Sequence, residues 1–322
     1  MPDCTAFDVY QPPPDGTVVS IGNFDGVHRG HAAIVAALRE HALRHGVPAV
    51  GITLDPHPLA VLAPERAPPT LTTAAERATL LRRAGADAVV VLRSEPALLA
   101  MPAEDFLAHF VRRLRPRAFV EGADFNFGKA RGGSIETLRQ HGARYGYEVH
   151  TVDTFRAAEL ASAPRISSSS IRQALVDGRL DDANAMLGRP YRIVGRVVPG
   201  DARGRTIGFP TANLSDVPHM LPQEAVYAGA AQLETGELHA AAVNVGLQPT
   251  FGGHRARVEA HLLEYSGDLV GQHVGIYFLA RLRPQQRCES VAELVEQIRR
   301  DVARSREHFA AETELRAQCY SL

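Results

Sequence analysis

Short apolar runs alternate with helical patterns through the first half of the chain. The runs at 17–21, 49–54, 88–92, 117–120 and 147–152 are rich in Val and Ile and alternate little. That is the pattern of strands buried on both faces. Between them, helical spacing marks 32–45, 74–84, 103–114 and 134–145, and Ser134 with Thr137 three residues on is a cap for the last of these. Strand–helix alternation over this length predicts an α/β domain with a doubly wound parallel sheet.

After about Asp177 the pattern changes. Two helical turns, 168–176 and 181–187, lead to Gly188-Arg189-Pro190. Beyond Tyr191 the apolar runs are short and separated by turn residues: 192–198, 226–234, 238–245, 258–265 and 273–280. Regular spacing without intervening helices predicts an antiparallel sheet or small β-barrel. Val291, Leu294, Val295, Ile298, Val302 and Phe309 then return at helical spacing, with Ser290 as N-cap and Glu293 at the capping-box position. The expected division is therefore 1–187 and 188–322.

Composition narrows the class. With 322 residues the chain has room for about two domains. A net charge of -1 without a long basic tract disfavours nucleic acid as a partner. Cys4, Cys288 and Cys319 are scattered and odd in number, which fits neither a disulfide framework nor a zinc site and points to the cytoplasm. No apolar run approaches membrane-spanning length, and the first residues carry no signal-peptide pattern.

Gly22-Asn23-Phe24-Asp25-Gly26-Val27-His28-Arg29-Gly30-His31 follows the first strand directly. At a strand-to-helix junction the backbone N–H groups and helix dipole favour phosphate. His28 and His31, three apart, share a face, while Gly22, Gly26 and Gly30 leave the backbone bare. Read alone, the segment is equally a glycine-rich turn with surface histidines or a metal pair. Three later segments fall at strand ends: Thr53-Leu54-Asp55-Pro56-His57-Pro58, Gly122-Ala123-Asp124-Phe125-Asn126-Phe127-Gly128, and Ile166-Ser167-Ser168-Ser169-Ser170-Ile171-Arg172. Strand ends are where such sheets bind ligands. Serine hydroxyls and the Arg172 fork suit phosphate oxygens.

In the second half, Gly200-Asp201-Ala202-Arg203-Gly204-Arg205-Thr206-Ile207-Gly208-Phe209-Pro210-Thr211-Ala212-Asn213-Leu214 lacks the Gly-Lys-Ser/Thr ending of a Walker loop. Thr211 and Asn213, two apart on an extended chain, offer hard oxygen donors suited to Mg²⁺. Without context this is equally a polar loop.

Together these segments resemble the bacterial bifunctional riboflavin kinase/FAD synthetase family, in order, from about Val18 to about Asp301. The resemblance implies a nucleotidyltransferase domain followed by a small antiparallel β-barrel kinase domain with a terminal helix. It implies that the second half phosphorylates riboflavin to FMN and that the first transfers AMP from ATP to FMN, giving FAD and pyrophosphate. In the first half Gly22, Phe24, Gly26, His28, His31, Ser168, Ser169 and Arg172 correspond to ATP and phosphate positions. Asp55, His57 and Asp124 correspond to flavin positions. In the second half Gly200, Arg205, Gly208, Thr211 and Asn213 correspond to ATP and flavin positions, with Thr211 and Asn213 on Mg²⁺ and Glu259 as general base. The implied partners are ATP, riboflavin and FMN; no oligomeric state follows. Val270 and Cys288 stand where the family commonly has aromatics, which predicts looser packing or altered flavin contacts near the kinase site.

Two rivals remain at this stage. One is a nucleotidyltransferase for another phosphorylated cofactor, which the Pro210–Asn213 segment and Glu259 argue against. The other is a binding protein with a β-barrel that grips RNA or a partner, which the near-neutral charge argues against.

Overall fold

The structure, a computed structural model, describes residues 4–153, 165–200, 203–250 and 253–312. The chain forms two compact units, Met1–Ser168 and Ser169–Leu322.

The first unit runs β1 (Thr5–Ala6), β2 (Thr17–Gly22), α1 (Arg29–His45), β3 (Ala49–Asp55), α2 (Pro58–Leu62), α3 (Ala74–Arg83), β4 (Ala88–Arg93), α4 (Pro96–Leu99), α5 (Ala103–Leu114), β5 (Pro116–Gly122), β6 (Asn126–Phe127), β7 (Gly133–Ser134), α6 (Ile135–Tyr145) and β8 (Glu148–Val152). Six strands form one sheet in the order β1-β4-β3-β2-β5-β8, and every pairing in it is parallel. Residues 17–21 of β2 are buried on both faces. Val19 and Ile21 enter a core with Ile52, Phe110 and Phe119. Val18 enters the opposite core with Leu38, Ala42 and Val120. The uninterrupted apolar run in the sequence reflects this two-sided burial.

The chain leaves β2 to build β3 and β4 on one side, then returns to build β5 and β8 on the other. The switch point therefore lies between β2 and β5, the crevice where such sheets bind ligands. The two strands pair only as far as Val19 with Phe119, so they diverge toward their carboxyl ends.

Helix α1 begins at Arg29, not near Ala32. His28 is its N-cap, and the His28 side chain accepts a hydrogen bond from the His31 N–H. Arg29 and Gly30 gave no apolar periodicity to read, so the cap fixes this end instead. The Ser134–Thr137 capping box of α6 is present.

The second unit contains α7 (Ser168–Val176, which starts at the junction), α8 (Leu180–Leu187), β9 (Tyr191–Val198), α9 (Arg203–Thr206), β10 (Ala212–Ser215), β11 (Ala225–Gln232), β12 (Leu238–Thr250), β13 (Gly253–Leu262), β14 (His273–Arg283) and α10 (Val291–Ala311). Six strands close a barrel in the order β10-β13-β12-β11-β14-β9. Strands β12 and β13 are longer toward their shared turn than expected, because their ladder continues to Thr250 and Gly253. At the other end β13 stops at Leu262 rather than Tyr265; Glu264 takes φ 58°, which breaks an extended chain. Ser290 caps α10 by accepting from the Glu293 N–H. The helix is fastened by Arg283, whose guanidinium donates to both oxygens of the buried Asp301 carboxylate at 2.7–3.1 Å. Val270 is 53% exposed, so the missing aromatic leaves no gap in the core there. Cys4 and Cys288 are free thiols, and Cys319 lies outside the described residues. Among the described residues no helix is long and apolar enough to cross a membrane.

Candidate active sites

The loop from β2 to α1 sits at the switch point. It is tightly turned: Phe24 and Val27 take φ 48° and 36°, and Gly26 takes φ 83°. A β-branched residue at positive φ is strained, and buried bonds hold this loop in place. The Asp25 carboxylate accepts from the N–H groups of Leu71 and Thr72 at 3.1 and 2.9 Å and from the Thr72 hydroxyl at 3.1 Å. The Gly26 N–H donates to the same hydroxyl at 2.8 Å. Ser168 donates to the Asp25 carbonyl at 2.8 Å.

His28 and His31 come together as the spacing predicted. Their rings stack at 3.6 Å between centroids, 15° from parallel. Because His28 Nδ1 accepts from the His31 N–H at 3.2 Å, a neutral His28 ring carries its proton on Nε2, as a donor. Gly30 lies close beneath it: a Cβ there would meet the ring at 3.2 Å. Phe24 is buried, packs with Val27, Val35 and Leu81, and meets His31 edge-on at 5.1 Å. It therefore seats the second imidazole.

The end of β3 is tied to this loop by Arg77, which sequence reading placed on a helix without a role. Its buried guanidinium donates to Asn23 O, Leu54 O and Thr53 Oγ1 at 2.8–3.0 Å and to Asp55 Oδ1 at 2.7 Å. His57 caps α2 through Nδ1, and the Asn23 amide lies 3.1 Å from its Nε2. Asp124 is exposed and ion-paired with Arg165. Ser169 and Arg172 lie on α7, in the second unit.

Glu121 was also missed. Its carboxyl fills the fork where β2 and β5 separate: it accepts from the Ile21 N–H at 2.8 Å, and the Ser20 hydroxyl lies 3.4 Å away. It is 2% exposed, and burial pushes its pKa well above the usual carboxylate range. A charged residue after Val120 marked the strand's end in the sequence, yet β5 continues through it.

In the second unit, β13 sets Glu259 opposite Asn213 of β10 and Asn244 of β12. Val258, Ala260 and Leu262 are buried on the other face. This settles the direction that alternation left open. Glu259 Oε2 accepts from the Asn244 amide at 3.3 Å, and Oε1 lies 3.0 Å from Arg257 Nε. Arg257 also donates to Asn213 Oδ1. Gln285 donates to the Asn244 side chain and to Val245 O. Asn244, Arg257 and Gln285 thus join the site around Glu259; neither the strand periodicity around Arg257 nor the segment after β14 that carries Gln285 gave a distinguishing signal. Thr211 is exposed and Asn213 buried. Gly200 lies against Asn213 so closely that a Cβ would fall 2.1 Å from its Nδ2. The loop between them closes through His261, which meets Pro210 O at 2.7 Å and the Phe209 ring edge-on. The exposed Arg205 lies on α9 and the exposed Gly208 just after it, at φ 89°. The hard oxygen donors of Thr211 and Asn213 are of the kind that suits Mg²⁺.

Residues 11–170 match the FAD synthetase family and residues 187–309 match the riboflavin kinase family. The chain is 39% identical over 304 residues to a bifunctional riboflavin kinase/FMN adenylyltransferase of Escherichia coli (strain K12), covering 94% of this chain and 96% of that one. A protein of the same description from Pseudomonas fluorescens is 37% identical over 90% of this chain and 92% of its own length. Among solved structures, one from Streptococcus pneumoniae described as a macrolide-efflux protein superposes with a TM-score of 0.83 at 30% identity, covering 94% of this chain and 97% of that one.

Proposed function

The chain belongs to the bifunctional riboflavin kinase/FMN adenylyltransferase family, with the FAD synthetase domain first and the riboflavin kinase domain second, and from that premise we propose how its residues divide the two reactions. In the kinase unit Glu259 takes the proton of riboflavin's terminal hydroxyl. That oxygen bonds to the γ-phosphorus of ATP as the bond to the β,γ-bridging oxygen breaks, and ADP leaves. Positioning and charge neutralisation carry most of such a transfer. Asn244 and Arg257 orient the Glu259 carboxylate. Thr211 and Asn213 would hold Mg²⁺, which would neutralise phosphate charge when bound with ATP.

In the first unit an FMN phosphate oxygen attacks the α-phosphorus of a second ATP. The α–β bridging bond breaks and pyrophosphate leaves, with no covalent adenylyl-enzyme. His28 and His31 donate to phosphate oxygens as their charge grows, beside the N–H groups at the start of α1. Gly22 and Gly26 let the nucleotide approach the backbone, and Ser168, Ser169 and Arg172 keep the phosphate role their motif implies. Asp55, His57 and Asp124 serve the flavin. Small-molecule substrates suffice, with no role for nucleic acid or membrane, and the cytoplasm is the proposed location.

The observation that carries this reading is the stacked His28–His31 pair at the mouth of the β2–β5 crevice. Incubation with riboflavin, ATP and Mg²⁺, with flavins separated over time, should show FMN first and FAD after it. FMN that accumulates without FAD would remove the proposed role of the first unit.

A further inference from the structure

Neither transfer uses a group of side chains at the far end of α1. His41 and His45 lie one turn apart on α1, and Glu148 and His150 lie two apart on the edge strand β8, so each pair shares a face. The two faces meet. Ligand atoms of His41, Glu148 and His150 all lie within 4.8 Å of one another. His150 Nε2 is 2.8 Å from Glu148 Oε2, and His45 Nε2 is 3.6 Å from the same oxygen. Donor atoms around a four-coordinate Zn²⁺ stand about 3.3–3.6 Å apart, given its usual bond lengths. His41, Glu148 and His150 are therefore within side-chain reach of one cation, and His45 approaches it from the carboxylate side.

His41 is 9% exposed and its ring stacks on that of His150 at 3.5 Å between centroids; imidazole ligates through a lone pair in the ring plane, so one ring turns out of the stack when both hold the same ion. Arg44 stands 3.1 Å from His41 Nε2, but it also pairs with Glu40 at 3.1 Å. It has a second partner when a cation takes its place. Three imidazoles and one carboxylate select a borderline cation of the zinc class over Mg²⁺. His31 and His41 are ten residues apart on α1, roughly 15 Å along the axis, so an ion here is remote from adenylyl transfer.

We propose that His41, His45, Glu148 and His150 form a structural site for a zinc-class divalent cation that fastens α1 to β8. An edge strand is the least secured part of a sheet, and a ligand that binds only the folded state raises its stability. The site is independent of the reading of the two transfer reactions.

The test uses the full chain, freed of metal with a chelator and dialysed. Zn²⁺ alone is titrated by calorimetry, and Co²⁺ is followed by its visible absorption. The variants are His41→Ala/His150→Ala together and Glu148→Gln. The wild type should take up about one equivalent of Zn²⁺ that the double variant lacks. It should give the intense visible bands of four-coordinate Co²⁺, and its thermal transition should rise with Zn²⁺. Glu148→Gln should weaken that binding at least tenfold. FAD formation from supplied FMN, ATP and Mg²⁺ by the first unit, and the far-ultraviolet dichroism in metal-free buffer, confirm that the variants fold. Equal Zn²⁺ uptake by wild type and double variant, or no uptake by the wild type, would overturn the proposal.

Discussion

Replacing Glu121 tests whether the β2–β5 fork is built as described. In Glu121→Leu the Ile21 N–H loses its 2.8 Å acceptor while remaining buried. An unsatisfied buried N–H costs about 1–3 kcal/mol. For a unit of this size that lowers the melting temperature by about 2–12 °C. Glu121→Gln keeps an oxygen for Ile21 and an amide for Ser20, so its packing cost is near zero at acid pH. Its pH dependence is more telling. The folded-state pKa of Glu121 is raised, so the folded protein holds that proton more tightly than the unfolded chain. The associated stability is complete below the ordinary glutamate pKa and fades as pH rises through the folded value. Glutamine does not titrate. Glu121→Gln should therefore gain on the wild type as pH rises from about 4.5, which urea denaturation at a series of pH values would follow. A gap between the two that stays constant or shrinks with rising pH would refute the reasoning. So would a Glu121→Leu protein as stable as Glu121→Gln.

Two further substitutions follow from the sites. Arg77→Met removes the donor shared by Asn23, Leu54, Thr53 and Asp55; it should cost about 2–4 kcal/mol in urea denaturation and raise KM for ATP in FAD formation more than it changes FMN formation. Gly200→Ala forces a methyl group against Asn213; it should slow FMN formation by roughly tenfold or more, while FAD formation from supplied FMN continues, both read by separating the flavins.

The sequence carried the architecture because burial was written in it. The run at 17–21 is rich in Val and Ile with little alternation, since β2 is covered on both faces, and the four longer helices of the first half, α1, α3, α5 and α6, read from their apolar stripes, while the short α2 and α4 did not. Caps read well where their residues are conventional, as at Ser134 and Ser290. At α1 the cap is a histidine, and the helix starts three residues before the expected position. The residues that brace the sites were the least legible. Arg77 and Glu121 are charged, and a charge in a sequence is read as exposed or as the end of an element. Both are buried here because hydrogen bonds satisfy them. Glu259 and Asn213 were visible as motif residues, but only strand register shows them opposite each other. Arg257 and Gln285 complete that group through side chains that no spacing rule singles out.

The central claim is that one chain carries two independent transfer sites. Its most direct measurement compares His31→Ala with Glu259→Ala, each given riboflavin, ATP and Mg²⁺, and separately FMN, ATP and Mg²⁺. Loss of one electrostatic stabiliser typically costs on the order of 10²–10³ in turnover. His31→Ala should lose FAD formation on that scale and still make FMN at the wild-type rate. Glu259→Ala should fail to make FMN from riboflavin and still convert supplied FMN to FAD. Loss of both activities in either folded variant would contradict the account.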